Sequence, residues 1–301
     1  MNTVWSDFIQ TTEELYQSRA LRFREDNRGV WYPLLQITDH MRVLEVGCAG
    51  GLLLHRIKQA NPTVIATGLD RDANHIAYAV KKSAELGLDC GFVTGDALRM
   101  PFADTSFDLV LSHTVMEHVE TQPFLCEQFR VLKPGGTVLV LSVRTGLNVS
   151  PESWKPVSAR EQVLFAKAWA NSDEFDKEQH IGGYEMKECD YPSALEKAGF
   201  IGLDVQFMSL MSYAPDNASV PDELALAQIN ANRLHALESV SKALQRSPRN
   251  LTAEEREELV GLINGRFDER VEKYRKGEKV WDLATSTVMV ISGKKPRCGV
   301  L

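Results

Sequence analysis

The stretch 43–51, Val-Leu-Glu-Val-Gly-Cys-Ala-Gly-Gly, is the part of the sequence best suited to hold a cofactor. Its β-branched start predicts a strand, and Leu53, Leu54 and Ile57 have helical spacing after the glycines. Glycines let a backbone approach a ligand closely, and the first amides of a helix offer free N–H groups. Asp70 ends the next apolar run, where an acid can hold ribose hydroxyls. The pattern predicts a cradle for a nucleotide-like or carboxylate-bearing cofactor.

The elements around this loop alternate between strands and helices, which predicts a mostly parallel α/β sheet. We expect seven strands, at residues 43–46, 64–70, 90–94, 107–112, 137–142, 202–208 and 284–292. Asp72 and Gly87 predict the two ends of a helix over 73–86. A capping box at Thr11 and Glu14 predicts an N-terminal helix to about residue 24, which either covers the cofactor or packs on the edge of the sheet.

Two segments interrupt this alternation in what we expect to be a single domain over 1–301. Residues 146–189 are predicted to be an inserted lid, with a helix after Ser158 and a hinge at Gly182 and Gly183. Residues 214–278 are predicted to be an inserted pair of helices between the last two strands, the second capped at Thr252. The pair either forms a wall of the acceptor pocket or contacts the same pair in a second subunit, as in a homodimer.

Composition narrows the possible partners and the compartment. Hydrophobic residues make up 44% of the 301 positions and the net charge is −7, which argues against an obligatory nucleic-acid partner. No apolar run has the length of a membrane span or a secretion signal. The five cysteines are scattered and form no C-x-x-C pair, which is typical of a reducing cytoplasm and disfavours a structural zinc site. We therefore expect a cytoplasmic protein.

Two cofactor classes fit the glycine loop, and motifs elsewhere favour one. Nicotinamide proteins require G-x-G-x-x-G, whereas this loop has Gly47, Gly50 and Gly51 after Glu45. It resembles the E/D-x-G-x-G-x-G loop of class I S-adenosylmethionine (SAM) methyltransferases and departs from it at Ala49. Further motifs of that family follow in order: Gly68-Leu69-Asp70, Gly95-Asp96-Ala97, FDLVLSHTVMEHV at 107–119 and LKPGG at 132–136. Within the class, the sequence is similar to the small-molecule group that includes the ubiquinone and menaquinone biosynthesis enzymes.

The resemblance implies a Rossmann-like, seven-stranded sheet with helices on both faces, SAM as cofactor and a small organic methyl acceptor. It implies contacts to the methionine end of SAM from the loop, to the ribose from Asp70, to the adenine from the residues after the second and third strands, and to the sulfonium side from the end of the fourth strand. The implied cofactor-binding residues are Glu45, Gly47, Cys48, Ala49, Gly50, Gly51, Asp70, Arg71, Asp96, Ala97, Ser112 and His113.

Methyl transfer needs mainly in-line placement of the acceptor, and a general base only where the nucleophile carries a proton. The candidate catalytic residues are His113, Glu117, His118 and His180. Glu117-His118-Val119 matches a sequence common in the group, but Thr114 replaces a further metal-binding Glu, so we expect no metal. Two alternative functions are a SAM-binding regulatory protein without catalysis and, less favoured by the loop, a nicotinamide-dependent oxidoreductase.

Overall fold

A computed structural model describes residues 5–8, 11–149, 157–170 and 181–297 of the chain. The chain divides into two compact units. The sheet unit comprises Met1–Thr145, His180–Leu210 and Thr287–Leu301, and the helical unit comprises Gly146–Gln179 and Met211–Ser286. Among the helices that the structure describes, none is both long enough and apolar enough to cross a membrane.

Seven strands form one sheet in the described residues, in the order β3-β2-β1-β4-β5-β7-β6. The strands are β1 (Arg42–Val46), β2 (Ile65–Asp70), β3 (Cys90–Thr94), β4 (Phe107–His113), β5 (Leu132–Val143), β6 (Ile201–Tyr213) and β7 (Ala284–Lys294). The pairs formed among β1 to β5 are parallel, and β7 runs antiparallel to β5. The expected seven-stranded, mostly parallel α/β fold is confirmed.

The strand order reverses between β1 and β4, so β1 lies at the switch point of the sheet. β2 and β3 lie on one side of β1, and β4 and β5 lie on the other. In sheets of this kind ligands bind outside the carboxyl ends of the strands at such a switch point. The loops that follow β1 and β4 therefore form the two sides of the expected binding crevice.

Helices cover both faces of this sheet. In the sheet unit they are α1 (Trp5–Phe8), α2 (Thr12–Arg22), α3 (Arg28–Trp31), α4 (Leu52–Ala60), α5 (Ala73–Leu86), α6 (Thr121–Val131) and α8 (Asp190–Lys197). Alternate strand residues point to opposite faces, so Val43 belongs to one apolar cluster and Leu44 to another. Phe23 and Trp31 bring the N-terminal helices into the first of these clusters.

The helical unit joins parts of both predicted insertions. It contains α7 (Ala159–Ala168), α9 (Asp222–Arg246) and α10 (Ala253–Arg275). Leu164 of α7, Ile229 of α9 and Ile263 of α10 share one apolar cluster. Ser158 caps α7 by accepting the Glu161 amide, and Thr252 opens α10 with a full capping box. The two insertions therefore contribute to one core, although a stretch of sheet-unit sequence separates them along the chain.

Most expected elements have the observed bounds to within a few residues, and some differ. The Glu117-His118 pair lies in a 3-10 turn, Met116–His118, between β4 and α6. β6 extends to Tyr213, past its expected end at residue 208. Residues 150–156 and 171–180 of the predicted lid lie outside the described residues, and so does the candidate His180.

Candidate active site

The glycine loop adopts a backbone conformation that requires small residues. The φ angles are 71° at Gly47, 47° at Ala49 and 80° at Gly51, all in the left-handed region. A Cβ at Gly47 would overlap the Val115 side chain, and one at Gly51 would lie 2.8 Å from the Phe92 ring. Ala49, where the sequence departs from the glycine pattern, therefore adopts the left-handed conformation despite its methyl group.

Hydrogen bonds hold this loop against the end of β2. The amides of Gly47 and Cys48 donate to the Leu69 carbonyl at 2.7 and 3.0 Å. The Ala49 amide donates to Asp70 Oδ2 at 2.8 Å. Asp70 thus fixes the loop and still lies at the carboxyl end of its strand, where a cofactor ribose is expected.

Glu45, one of the implied cofactor-binding residues, makes no hydrogen bond to the loop amides in the described residues. In the structure Asp70 makes the contact to the loop. The Glu45 carboxyl group is fully buried in β1, and in the described part of the chain neither oxygen has a hydrogen-bond partner of ordinary geometry. Burial raises its pKa to about 8; Asp70 adds to the effect, and Arg19 and the Leu54 amide oppose it.

Helix α2 lies across the carboxyl ends of β1 and β4. A Cβ at Gly50 would lie 3.2 Å from both Thr12 and Tyr16, so the helix packs directly on the glycine loop. Farther along the helix, Arg19 donates to the carbonyl oxygen of His113 at 3.4 Å. The helix therefore lies on the glycine loop, and that it covers a bound cofactor stays a prediction.

The His113 ring is fixed by α2 in one tautomer. Arg22 Nη1 lies 3.0 Å from His113 Nε2, and because a guanidinium can only donate, Nε2 is the acceptor and Nδ1 carries the proton. Nδ1 has no hydrogen-bond partner among the described residues. Burial, together with Arg19 and Arg22, holds the pKa of His113 well below its usual range, so the ring stays neutral.

Glu117 and His118 lie on the same 3-10 turn, but only Glu117 has a buried side-chain atom without a hydrogen-bond partner in the described residues. The Gly182 amide donates to His118 Nδ1 at 3.0 Å, which places the ring proton on Nε2, and burial lowers the pKa of His118 to about 4. The Trp5 ring lies 4.8 Å from the His118 ring. Glu117 is buried, burial raises its pKa, and its Oε2 has no partner within the ranges described.

The other expected cofactor residues have varied surroundings. Ser112 is buried, and its Oγ has no partner in the described structure. Cys48 is buried, which raises the pKa of its thiol well above the usual value. Arg71 is exposed. Asp96 is exposed and accepts the Leu98 amide at 2.9 Å, and Ala97 is half-buried beside it. Within the described residues, no cluster of three or more potential ligands could hold a metal ion.

The sequence did not reveal four residues near this crevice: Trp5, Arg19, Arg22 and His75. Arg19 and Arg22 are three residues apart, which places them on one face of a helix, and that spacing was a usable signal. Which element the face meets depends on tertiary packing. His75 follows Asp72 by three residues in the first turn of α5, a spacing that by itself indicates only the start of a helix.

The fold is that of a Rossmann-like protein, with the glycine loop at the switch point of its sheet. A family model described as "Methyltransferase domain" matches residues 37–199, more than half of the chain, and the chain belongs to this family. The matched residues include the glycine loop, Asp70 and the 3-10 turn with Glu117 and His118.

Two curated relatives match the part of the chain with the loop. Norajmaline N-methyltransferase of Rauvolfia serpentina is 35% identical over 117 residues, which are 38% of this chain and 40% of the relative. A ubiquinone biosynthesis O-methyltransferase of Brucella anthropi is 34% identical over 110 residues, 36% of this chain and 44% of the relative. The chain thus spans less than half the length of these relatives.

A solved structure shares the fold over most of the chain. Phosphoethanolamine N-methyltransferase 2 of Haemonchus contortus, in complex with phosphomonomethylethanolamine and S-adenosylhomocysteine, superimposes with a TM-score of 0.54. The sequences are 17% identical, and the match covers 97% of this chain and 59% of that chain. At this identity the likeness shows a common fold.

Proposed function

We propose that this protein is a SAM-dependent methyltransferase that acts on a small organic acceptor. The carrying observation is the left-handed glycine loop fixed by Asp70 at the switch point of a methyltransferase-family sheet. The names of the relatives support the proposal, since both N- and O-methyltransferases of small molecules are among them. Bound SAM would supply an electrophilic methyl group on a sulfonium that is its own leaving group.

The residues present fit such a cofactor. Gly47 and Gly51 permit the left-handed backbone of the loop, and the amides after the loop open a helix. Ser112 Oγ and His113 Nδ1–H are buried polar atoms without partners in the part of the chain described, and a bound ligand would satisfy them. Asp70 would accept the ribose hydroxyls, and the loop amides would face the methionine end.

Of the described candidates for a general base, Glu117 fits best. His113 uses Nε2 to accept from Arg22, and His118 uses Nδ1 to accept from the Gly182 amide, so neither ring has a free basic nitrogen. Glu117 Oε2 is unpartnered among the described residues, and the raised pKa of the carboxyl group brings it closer to neutrality. We propose that Glu117 removes the proton from an acceptor O–H or N–H group, or holds a protonated amine before transfer.

The C-terminal part of the predicted lid supports a role at the acceptor side. Gly182 donates to His118, and the Tyr184 amide donates to the Glu117 carbonyl at 3.0 Å. Residues 181–184 therefore adjoin the proposed base. We propose that the segment containing them helps to enclose the acceptor, and hydrogen exchange across 181–186 with and without ligands tests this role.

Calorimetric titration with S-adenosylhomocysteine and, separately, with NADH tests the cofactor. We expect binding of the first and none of the second. Asp70→Ala should weaken binding by about tenfold or more, because hydrogen bonds to a charged group contribute about 1.5–3 kcal/mol. Unchanged affinity in a folded Asp70→Ala variant would contradict the ribose assignment. Methyl transfer from labelled SAM to a metabolite mixture distinguishes the enzyme from a non-catalytic SAM-binding protein.

We also propose a cytoplasmic location and a homodimer. The cysteines that the structure describes are all free thiols, as expected in a reducing compartment. Exposed Val163 and Leu234 on the helical unit offer apolar surface for a second copy. Light scattering of the purified protein tests the dimer, and the alternative that the helical pair forms a wall of the acceptor pocket remains a prediction.

A further inference from the structure

Three buried polar side chains meet at the carboxyl end of β2 and the start of α5. Asp70 is 9% exposed, Asp72 is 3% exposed and His75 is 2% exposed. Two buried carboxylates so close together repel one another, and each loses hydration on burial. Their stability in this arrangement therefore depends on the groups around them.

Backbone amides stabilise both carboxylates by donating hydrogen bonds to them. Asp70 accepts from the Ala49 and Asp72 amides at 2.8 and 2.9 Å. Asp72 accepts from the Ser6 and Asn74 amides at 2.8 and 2.9 Å. Burial works to raise the pKa of Asp72, but these bonds and the neighbouring His75 outweigh it, and the pKa lies below its usual value.

His75 is the basic side chain between the two acids. Its Nδ1 lies 3.4 Å from Asp70 Oδ1, and its Nε2 lies 3.9 Å from Asp72 Oδ2. In the described residues neither ring nitrogen has a hydrogen-bond partner, and no Lys or Arg lies within ion-pair distance of either carboxylate. The helical spacing from Asp72 to His75 brings the ring back over the end of β2.

We propose that His75 is a positioning residue that orients the Asp70 carboxylate for the cofactor ribose. The ring nitrogens lie near Oδ1 of Asp70 and Oδ2 of Asp72, and an N–H directed at Asp70 Oδ1 would limit rotation of that carboxylate. The inference rests on the proposed function, because it assigns His75 a role that acts through Asp70. The competing explanation is that the ring only fills space in the core.

Two substitutions separate these explanations. His75→Met keeps an apolar side chain of similar size and removes both nitrogens, whereas His75→Gln keeps a side-chain donor that can reach Asp70. Affinity for S-adenosylhomocysteine is measured by calorimetry for each variant, in the wild-type background and in Asp70→Asn. Thermal unfolding of each variant reports any loss of packing separately.

A positioning role predicts that His75→Met weakens binding by about tenfold while His75→Gln stays within about threefold of the wild type. In the Asp70→Asn background, His75→Met should add little further loss, because the residue acts through Asp70. Wild-type affinity in folded His75→Met, or an equal loss in both backgrounds, would overturn the proposal. Failure of the wild type itself to bind would overturn the proposed function as well, which distinguishes the two failures.

A second measurement covers a His75→Met variant that does not fold. The ring nitrogens of ¹⁵N-labelled histidine are observed by NMR in the folded wild-type protein, and His75→Gln identifies the His75 signal by its loss. We expect this signal to move on addition of S-adenosylhomocysteine and also in Asp70→Asn. A His75 signal that is unchanged in both cases would overturn the proposal.

Discussion

Buried charged side chains have different hydrogen-bond partners in the two units of the chain. In the helical unit, Arg270 is fully buried and binds Asp282 and Asp216, and Tyr213 donates to Asp282. In the sheet unit, Glu45 is equally buried and has no hydrogen-bond partner of ordinary geometry among the described residues. The Arg270 cluster pairs its guanidinium with carboxylates inside the fold, although Arg270 Nη1 has no partner among the described residues, whereas the Glu45 carboxyl group has no such partner at hydrogen-bond distance.

From this contrast we infer that the Arg270 cluster stabilises its unit and that groups in the sheet unit are available to a ligand. The Asp216 carboxylate also accepts the Val280 and Trp281 amides, so the helical-unit cluster ties a loop to α10. Around the crevice of the sheet unit, Ser112, His113 and Glu117 each leave a buried polar atom unpartnered within the described ranges. Buried polar atoms without partners among the described residues also occur elsewhere, for example at Gln128 and Trp169, so the grouping of these three around one crevice is what favours a binding site there.

The largest effect should come from Arg270→Ala. Removing one partner of a buried ion pair leaves the others uncompensated, here Asp216 and Asp282, and costs about 3–5 kcal/mol. Urea unfolding should show this loss for the helical unit. The matched control is Arg160→Ala, which removes an exposed pair with Glu258 and should leave stability nearly unchanged, because solvent screens exposed ion pairs. Equal losses in the two variants would contradict the structural role of the buried cluster.

Glu117→Gln should act on catalysis rather than on folding. Loss of a general base typically lowers the rate by about 10²-fold or more, while the amide keeps the shape of the side chain. We expect turnover of a labelled acceptor to fall by that amount at saturating SAM, with the affinity for S-adenosylhomocysteine nearly unchanged. If turnover is normal in Glu117→Gln, the residue does not act as the base.

Local sequence signals predicted most of the fold. Asp72 and Gly87 end α5 at the expected residues because capping depends on a few neighbouring side chains. The strands are short apolar runs whose period can be seen directly in the sequence. The joint core of α7, α9 and α10 was missed because amphipathic spacing shows that a helix buries one face but does not identify the helix that it packs against.

For the site too, the sequence predicted local features and missed the contacts that tertiary packing sets. Asp70 and the loop lie on elements with strong local patterns, and the structure places them side by side. The tautomers of His113 and His118 depend on Arg22 and Gly182, which are distant in sequence. Such contacts are set by tertiary packing, so the sequence named four possible catalytic residues and could not rank them.

After the Arg270→Ala and Glu117→Gln variants, the third prediction is the pH dependence of stability in Glu45→Gln. Because the pKa of Glu45 is raised to about 8 in the folded chain, its contribution is fully present below the pKa of an unfolded Glu, near 4.3, and is lost as the pH rises through 8. The free energy of unfolding of Glu45→Gln relative to that of the wild type should therefore increase from pH 5 to pH 8. The increase should approach about 1.4 kcal/mol per pH unit between pH 5 and pH 8.

The control for this substitution comes from the other unit. Glu161 is also buried but is paired with Arg266 at 2.9 Å, so Glu161→Gln should be less stable than the wild type at pH 8. Denaturant titrations at several pH values compare the two variants. A difference between Glu45→Gln and the wild type that does not vary with pH would show that Glu45 is ionised in the folded chain at all of them.

The smallest effects come from two matching helix caps. Thr11 opens α2 and Thr252 opens α10, each with a complete capping box, and replacing either by Ala should cost about 1 kcal/mol. The consequences for binding should differ, since α2 packs on the glycine loop and carries Arg19 to His113, whereas α10 belongs to the core of the helical unit. We expect Thr11→Ala to weaken S-adenosylhomocysteine binding by about two- to fivefold. The frayed start of α2 must re-form when the ligand binds, and this uses part of the roughly 1 kcal/mol that the cap contributes. Thr252→Ala should lower the unfolding temperature without changing affinity. If both caps affect binding equally, cofactor affinity depends on the stability of the whole chain, and the proposed difference between the two units does not hold.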